Sequence, residues 1–352
     1  MKTRSTLKNA IVATSLLLAG CVTASIEPEQ IETVANPVID ANFPDPAVIK
    51  AADGYYYVYA TQGEVDGKMQ NIQTARSRDL LRWERLGDAL PDKPIWAGRT
   101  QDFWAPHVSY HDGKYYLYYS AKPDIALDDK KSGLCLAVAT ATQPEGPFVD
   151  IGNPLKCGDG FVNIDPMAYD DPATGKRLLY WGSGFGPIKV QELASDRISF
   201  VSGSKPVDLV SVINNDDPEN YQRLVEGAWI TNKDGYYYLF YSGDNCCGPN
   251  AHYAVMVARS RNATGPFETR AEVTGAKNSV ILEADERWIA PGHNAVIQDV
   301  EGRHWILYHA VDIKRPREKD SDDINTRRVM LIDRLEWADG WPRPSGWSAL
   351  RR

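Results

Sequence analysis

Three acidic residues of this sequence occur in settings that suit acid–base chemistry. Asp45 lies between two prolines, and Asp165 directly precedes one. Proline fixes its own backbone and favours an extended backbone for the residue before it, so we expect both carboxylates to be held in stiff positions. Glu226 lies among apolar residues, which is expected to raise its pKa. An ionised carboxylate and a protonated carboxyl group can act together as general base and general acid.

The three acids fall at matching positions of a fivefold repeat. Alternating aromatic and apolar residues follow an Asp-Gly-like turn at Gly54, Gly113, Gly175, Gly235 and Gly302. Each run predicts the second strand of a hairpin, and the spacing of about 60 residues suits a four-stranded unit with loops. Five such units predict an all-β fold, a five-bladed β-propeller.

The repeat also predicts which residues meet at the propeller axis. Nine or ten residues before the five glycines stand Asp45, Trp104, Asp165, Glu226 and His293. Matching positions at the start of the innermost strands converge on the central channel, so these residues are expected in one active-site funnel. The alternative is that acids at strand starts only cap loops.

Two carboxyl groups that face each other across a channel can cleave a glycosidic bond. At a separation of roughly 6.5 to 9.5 Å a water molecule fits beside the sugar, and the anomeric configuration inverts. A third carboxylate nearby would raise the pKa of the acid and orient the sugar. A sugar-binding propeller without catalysis is the alternative of another class, but it would not need the three acids.

The first 35 residues indicate export rather than folding. A basic start, a short apolar run and Leu18-Ala19-Gly20-Cys21 resemble a bacterial lipoprotein signal, which predicts a signal peptide over 1–20, lipidation of Cys21 and a tether over 21–35. An ordinary signal peptide is the alternative. We expect a lipid-anchored protein at the outer membrane, or a periplasmic one, with the propeller over 36–352.

Composition and charge disfavour nucleic acid as a partner, and the cysteine spacing predicts disulfides rather than a zinc site. The chain has 352 residues, 43% of them hydrophobic, and a formal net charge of −8 without a basic cluster, which disfavours nucleic acid. In an oxidising compartment Cys135 and Cys157 could close a loop. Cys246 and Cys247 are expected as a vicinal disulfide or as two thiols. The cysteine spacing matches no zinc pattern.

Several motifs together resemble glycoside hydrolase family 43 from Asn36 to the end of the chain. They are Phe43-Pro44-Asp45-Pro46, Phe103-Trp104-Ala105-Pro106, Ile164-Asp165-Pro166, Glu226-Gly227, Gly292-His293-Asn294 and Trp337-Ala338-Asp339-Gly340-Trp341-Pro342. The resemblance implies an inverting five-bladed enzyme that acts on arabinose- or xylose-containing plant cell-wall polysaccharides. It implies that Asp45 is the general base, Asp165 the pKa modulator and Glu226 the general acid.

The same resemblance implies roles for residues around the acids. His293 would bind Ca²⁺ or a similar ion in the channel, largely through waters; the alternative is a histidine hydrogen-bonded to one of the acids. Arg328 would contact substrate hydroxyls, with Arg327 as the alternative. Trp104 and Phe43 are expected to stack on a sugar face, although both could be core residues. His107 departs from the family pattern and is expected at the rim.

Our first choice of activity is an exo-acting α-L-arabinofuranosidase that releases arabinose from arabinan or arabinoxylan. An endo-1,5-α-L-arabinanase or a β-xylosidase of the same family is the alternative, and the Cys246-Cys247 pair is similar to one in endo-arabinanases. A five-bladed fructan-processing enzyme is disfavoured because its Asn-Asp-Pro-Asn-Gly motif is absent from the sequence. We expect a monomer without an organic cofactor.

Overall fold

A computed structural model describes Met1 and residues 34–129, 131–318 and 326–345. The predicted signal peptide, the tether and Cys21 lie outside the described residues. Within the described ranges, no helix has both the length and the apolar character needed to cross a bilayer.

The folded part of the chain consists of five successive antiparallel sheets, each built on a path of four strands. Blade 1 contains β1 (Ala47–Lys50), β2 (Tyr56–Ala60), β5 (Gln73–Ser77) and β6 (Glu84–Arg85), with the hairpin β3 (Gly63–Val65) and β4 (Lys68–Gln70) inserted between β2 and β5. Blade 2 contains β7 (Phe103–His111), β8 (Lys114–Ala121), β9 (Cys135–Ala141) and β10 (Val149–Asp150), and β11 (Lys156–Cys157) also pairs with β9.

The remaining three blades repeat this order. Blade 3 contains β12 (Met167–Asp170), β13 (Arg177–Trp181), β14 (Ile188–Leu193) and β15 (Val207–Val210). Blade 4 contains β16 (Val225–Lys233), β17 (Tyr236–Asn245), β18 (His252–Ser260) and β19 (Glu268–Thr269), and β20 (Val280–Leu282) also pairs with β18. Blade 5 contains β21 (Trp288–Gln298), β22 (His304–Asp312), β23 (Arg328–Ala338) and β24 (Trp341–Pro344). The predicted all-β five-bladed propeller is confirmed.

Helix is minor, as the absence of long amphipathic periodicity predicts. The described helices are α1 (Ile125–Asp128), α2 (Arg270–Thr274) and a 3₁₀ turn (Tyr221–Arg223). In α2, Thr269 caps the N-terminus and Glu272 completes a capping box.

The five Asp-Gly-like turns join the first and second strand of each blade. All five glycines have positive φ, from 69° at Gly175 to 85° at Gly54. A left-handed backbone is unfavourable for most residues with a Cβ atom and free of that penalty for glycine. These turns set the register in which the aromatic strands pair with the strands on either side of them.

Tyrosines of the second strands fill the core between neighbouring blades. Tyr59 and Tyr180 have no exposed surface. The Tyr59 hydroxyl donates to the Pro144 carbonyl, and the Tyr180 hydroxyl donates to the Ala263 carbonyl across 2.7 Å. Both acceptors lie in turns of the next blade that share a Gly-Pro-Phe sequence. Each ring therefore buries a large apolar area, worth about 1.5–3 kcal/mol, and still satisfies its polar group.

The circle of five blades is closed by the segment before β1, which runs along β23 of the last blade. Ile39 pairs with Met330, and the Phe43 N–H donates to the Arg328 carbonyl across 2.8 Å. Because Asp45 follows two residues later, this closure brings it beside the start of β23.

Candidate active site

All five residues that the repeat places at the axis line one cavity of about 1000 Å³. They are Asp45, Trp104, Asp165, Glu226 and His293. Each comes from a different blade; four lie at or near the start of their first strand, and His293 lies in the middle of β21. The convergence expected from the repeat is therefore present in the structure.

The backbone that carries these residues differs from the sequence prediction in one respect. We expected an extended backbone at Asp45 and Asp165, but both have φ of 59° and are left-handed. The matching residues of the other blades are also left-handed: Ala105, Gly227 and His293 have φ of 46°, 61° and 47°. Trp104 and Glu226 thus stand one residue before the left-handed position, whereas Asp45, Asp165 and His293 occupy it.

A belt of polar side chains from the second strands supports this left-handed backbone. The belt comprises Thr61, Ser120, Ser183, Ser242 and His309, all in or just after the aromatic run of a blade. Three of its hydroxyls accept an N–H bond from the next blade: Ala105 donates to Thr61 across 2.7 Å, Asp165 to Ser120 across 3.1 Å, and His293 to Ser242 across 2.8 Å. His309 does the same in blade 5, because its Nδ1 accepts from the Asp45 N–H across 3.1 Å.

The hydrogen-bond pattern of the belt is different at blade 3, close to Asp165 and Glu226. The Gly227 N–H donates to Oδ2 of Asp165 across 3.0 Å instead of to Ser183. The Ser183 hydroxyl is then free to donate to Oε2 of Glu226 across 2.8 Å. The Tyr253 hydroxyl donates to the other oxygen, Oε1, across 2.8 Å. Two hydroxyls therefore fix the orientation of the Glu226 carboxyl group.

Asp45 is surrounded by groups that favour its charged form. Its Oδ1 lies 3.2 Å from Nη1 of Arg328 and 3.5 Å from Nδ1 of His293, and its Oδ2 accepts from the Thr61 hydroxyl. Burial alone would raise the pKa of Asp45, but the Arg328 charge, with His293 and His309, outweighs burial and holds this pKa well below its usual range. Asp45 is thus an ionised base at neutral pH.

Asp165 and Glu226 have the opposite tendency. Burial raises the pKa of Asp165 well above its usual value, and the neighbouring Glu226 and Asp45 charges add to this rise. Burial also raises the pKa of Glu226, although the bonds from Ser183 and Tyr253 oppose the rise. Because two close carboxyl groups cannot easily both ionise, the pair retains a proton to higher pH than a lone carboxyl would. The cavity thus combines a charged base with a proton donor.

Sequence reasoning assigned no role to any of the five belt residues or to Tyr253. The signal was available, because Thr61, Ser120, Ser242 and His309 all stand seven residues after the turn glycine of their repeat. His309 has no exposed surface, and its burial lowers its pKa to about 4. It is therefore neutral at pH 7, and its Nδ1 also lies 3.2 Å from Oδ1 of Asp45.

His293 lies between Asp45 and Asp165. Its Nδ1 is 3.5 Å from Asp45 and 3.8 Å from Asp165. Hard cations need oxygen ligands, and in the described part of the chain no three His, Cys, Asp or Glu side chains are arranged to hold a metal. Protein side chains alone do not fit a calcium ion here, so an ion would take most of its ligands from water, and we assign no catalytic step to it.

The predicted arginine site is resolved by the register of β23. Arg328 lines the cavity and donates to Asp45 Oδ1 across 3.2 Å. Arg327 is 1% exposed, pairs with Asp40 and Glu318, and is not among the residues that line the cavity. Arg328 is therefore the arginine that faces the acids.

Of three other residues predicted to lie in or around the site, one lines the cavity and two are buried in the core. Trp104 lines the cavity and is half-buried, as a sugar-stacking residue requires. Phe43 was expected to stack on sugar, and this is wrong: it is 0% exposed and lies in the core, with the Arg85 guanidinium 4.8 Å from its ring centre. His107 is not at the rim either, because it is buried against Trp229 at 5.3 Å between ring centres, and burial lowers its pKa to about 3.

The four cysteines of the folded part form two disulfides. Cys135 of β9 pairs with Cys157 of β11, which ties the outer part of blade 2 together. Cys246 pairs with Cys247, and this vicinal disulfide lines the cavity just beyond β17. The Cys135–Cys157 bond closes the loop that the sequence analysis expected. For Cys246 and Cys247 the sequence left a vicinal disulfide or two thiols open, and the structure has the disulfide.

Comparisons with known proteins agree with this arrangement. An extracellular exo-α-(1→5)-L-arabinofuranosidase of Cellvibrio japonicus is 26% identical over 320 residues, 85% of either chain. An extracellular endo-α-(1→5)-L-arabinanase of Bacillus subtilis is 26% identical over 358 residues, 97% of this chain and 99% of that protein. The solved α-L-arabinanase of Cellvibrio cellulosa superposes with a TM-score of 0.70 at 22% identity, covering 88% of this chain and 96% of that one, which supports the fold.

The family model for glycosyl hydrolases family 43 matches residues 34–342. This range includes all five blades and every residue that lines the candidate active site. Since the match covers most of the chain and the residues at its axis suit glycosidic bond cleavage, the chain belongs to glycosyl hydrolase family 43.

Proposed function

We propose that this protein is an inverting, exo-acting α-L-arabinofuranosidase that releases arabinose from arabinan or arabinoxylan. The observation that carries the proposal is the contrast between two carboxyl groups of one cavity. The pKa of Asp45 is held low beside Arg328, and the pKa of Glu226 is raised by burial. A base and an acid in one sugar-sized cavity are the requirement for hydrolysis of a glycosidic bond.

In the proposed reaction Asp45 accepts a proton from a water molecule, and the water oxygen attacks the anomeric carbon. The bond from that carbon to the glycosidic oxygen breaks on the opposite face of the sugar, and Glu226 donates its proton to the departing oxygen. Asp165 keeps the pKa of Glu226 raised and, through its bond to the Gly227 N–H, holds the segment that carries the acid. Trp104 and Arg328 contact the sugar that is released.

The choice of arabinose rests on relatives rather than on a measured contact. The two curated relatives described above are named for action on α-(1→5)-linked arabinose. One of them is an exo-enzyme and the other an endo-enzyme, at equal identity. The endo-arabinanase therefore remains the second candidate, favoured by the longer alignment with the Bacillus subtilis protein.

One experiment separates the candidates. The purified protein is incubated with linear arabinan, branched arabinan, arabinoxylan and xylo-oligosaccharides, and the products are followed by NMR from the first minutes. We expect arabinose alone, in the β-configuration, because inversion of an α-linkage gives the β-anomer. Oligosaccharides as first products would establish endo action, xylose would establish a xylosidase, and an initial α-anomer would overturn the inverting mechanism. Asp45→Asn serves as the inactive control.

We also propose that the protein is exported, lipidated at Cys21 and active as a monomer on plant cell-wall polysaccharide. The basic, apolar and Leu-Ala-Gly-Cys segments of the leader support this, and both curated relatives are named extracellular. Radiolabelled palmitate should enter the wild type and not Cys21→Ser. Fractionation of the cells then shows whether the protein is in the outer membrane or in the periplasm.

An ion beside His293 is a separate proposal, with a structural rather than a chemical role. High-resolution diffraction with anomalous scattering would test it. A well-occupied ion near His293 is the expected result, and ordinary water at that position would overturn it.

A further inference from the structure

Two phenylalanines line the cavity without a part in the reaction described above. They are Phe161, before β12, and Phe185, after β13. Their ring centres lie 6.0 Å apart, and their planes meet at 68° in an edge-to-face arrangement. Phe185 is 64% exposed. The reaction described above does not account for this large, mostly exposed apolar ring on the cavity wall.

The backbone that presents Phe185 is unusual. Phe185 has φ of 64°, and it stands between two glycines in Ser183-Gly184-Phe185-Gly186. A left-handed backbone is a rare state for a bulky residue, and such outliers are concentrated at ligand-binding positions. Because the ring is mostly exposed, burial in the core does not account for this conformation.

The loop of Phe185 also touches the loop of Phe161. A Cβ atom at Gly184 would lie 2.6 Å from Cγ1 of Val162, a distance that no side chain permits. Gly184 is therefore required for the two loops to pack, and their packing holds both rings on one stretch of the cavity wall. We call Phe161 and Phe185 the aromatic shelf.

The aromatic shelf lies on the acid side of the cavity. Ser183, two residues before Phe185, donates to Oε2 of Glu226 across 2.8 Å. In an inverting displacement the water at Asp45 and the departing oxygen at Glu226 are on opposite faces of the sugar. The loop that reaches Glu226 consequently borders the space into which the leaving group departs.

We propose that the aromatic shelf is the subsite for the sugar on the leaving-group side of the cleaved bond. This inference rests on the proposed function and adds its specificity for the leaving group. Phenylalanine offers an apolar face and no hydrogen bonds, so it binds the C–H face of a pentose rather than its hydroxyl pattern. The subsite distinguishes a sugar from a small alcohol as leaving group, whatever the identity of that sugar.

The test compares two substrates that differ only in the leaving group. α-1,5-Arabinobiose has a leaving sugar that reaches the aromatic shelf, and methyl α-L-arabinofuranoside has a methanol that does not. Phe185→Asn removes the ring, and asparagine tolerates a left-handed backbone, so the loop is preserved. Phe185→Tyr keeps the ring. Tyr110→Ala is the matched control, because Tyr110 is 46% exposed and lies outside the cavity lining.

For Phe185→Asn we expect kcat/KM on arabinobiose to fall about tenfold, while kcat/KM on the methyl glycoside stays within about twofold. Phe185→Tyr and Tyr110→Ala should behave as the wild type on both substrates. An equal fall on both substrates would overturn the proposal, and so would no fall on either.

If the proposed arabinosidase activity is wrong, the outcome differs from the one that contradicts the aromatic shelf. If the wild type cleaves xylobiose and neither arabinoside, the arabinose assignment fails. The same comparison with xylobiose and methyl β-D-xylopyranoside then tests the aromatic shelf in its own right, with the same expected and contradicting outcomes.

Discussion

Oδ2 of Asp165, the proposed modulator, accepts a hydrogen bond from the Gly227 N–H across 3.0 Å, and Gly227 directly follows Glu226, the proposed acid. The bond joins blade 3 to blade 4 and replaces the belt contact that Ser183 would otherwise make. Burial raises the pKa of Asp165 and of Glu226, and the neighbouring Glu226 and Asp45 charges raise the pKa of Asp165 further. The same bond holds Asp165 against the segment that carries Glu226.

Asp165→Asn should move the alkaline limb of the pH profile to lower pH. With asparagine at 165, Glu226 titrates without a like charge beside it, so its pKa falls and it loses its proton at lower pH. We expect a shift of about one to two pH units in the alkaline limb of kcat/KM, because that limb reports the acid of the free enzyme. Asparagine can still accept the Gly227 bond, which preserves the fold. An unmoved alkaline limb would show that Asp165 does not act through the acid.

Ser183→Ala and Tyr253→Phe should move the same limb in the opposite direction. Both hydroxyls donate to Glu226, which stabilises its charged form and lowers its pKa. Without either hydroxyl the pKa of Glu226 rises, so the acid keeps its proton to higher pH and the alkaline limb rises by about one pH unit. We also expect a lower kcat, because the carboxyl group is less well oriented.

Ser242→Ala is the control for these two variants. Ser242 pairs with Glu226 across the β16–β17 ladder, but its hydroxyl accepts the His293 N–H in the same belt instead of bonding to the Glu226 carboxyl group. A general effect of belt disruption would reduce activity in Ser242→Ala as well, but it would leave the alkaline limb in place. If Ser242→Ala moved the limb as far as Ser183→Ala, the assignment of Ser183 to the acid would be wrong.

Replacement of Arg328 by methionine should move the acidic limb of kcat/KM to higher pH. The Arg328 charge lowers the pKa of Asp45, so its loss raises that pKa and protonates the base at a higher pH. An opposite charge at this distance shifts a pKa by roughly 1 to 3 units, which sets the expected shift. Arg328→Lys keeps the charge and should shift the limb much less. An acidic limb at the same pH in wild type and Arg328→Met would contradict the prediction.

The two disulfides should differ in their contribution to stability. The Cys135–Cys157 bond links residues 22 apart, and a loop of this size contributes about 3 kcal/mol by restricting the unfolded chain. The Cys246–Cys247 bond links neighbours and restricts almost nothing further. Cys135→Ser/Cys157→Ser should lower the free energy of unfolding in a denaturant titration, whereas Cys246→Ser/Cys247→Ser should change it little. Equal losses would contradict the prediction that loop closure decides the contribution of each disulfide.

The sequence predicts the propeller and the convergence of the acids because both follow from local signals. A glycine turn and an aromatic run mark the same hairpin five times. Matching positions of the five hairpins then converge on the propeller axis. The left-handed backbone at Asp45 and Asp165 does not follow from these signals. It depends on N–H acceptors supplied by the preceding blade, such as Ser120, which no local rule reveals.

Two further side-chain directions have the same origin. Arg327 and Arg328 are adjacent, and alternate residues of a strand face opposite sides, so only the register of β23 decides which one meets Asp45. Phe43 stands two residues before the base, yet its ring turns into the core beneath Arg85. In both cases the direction of a side chain is set by partners that are distant in sequence.

The ring closure between the segment before β1 and β23 also bears on how the enzyme matures. Asp45 and Arg328 are 283 positions apart, so the base is complete only when nearly the whole chain has been synthesised. Any truncated product that lacks the last blade would carry the base without the charge that keeps it ionised. Hydrolysis is therefore expected only after the last blade has joined the first.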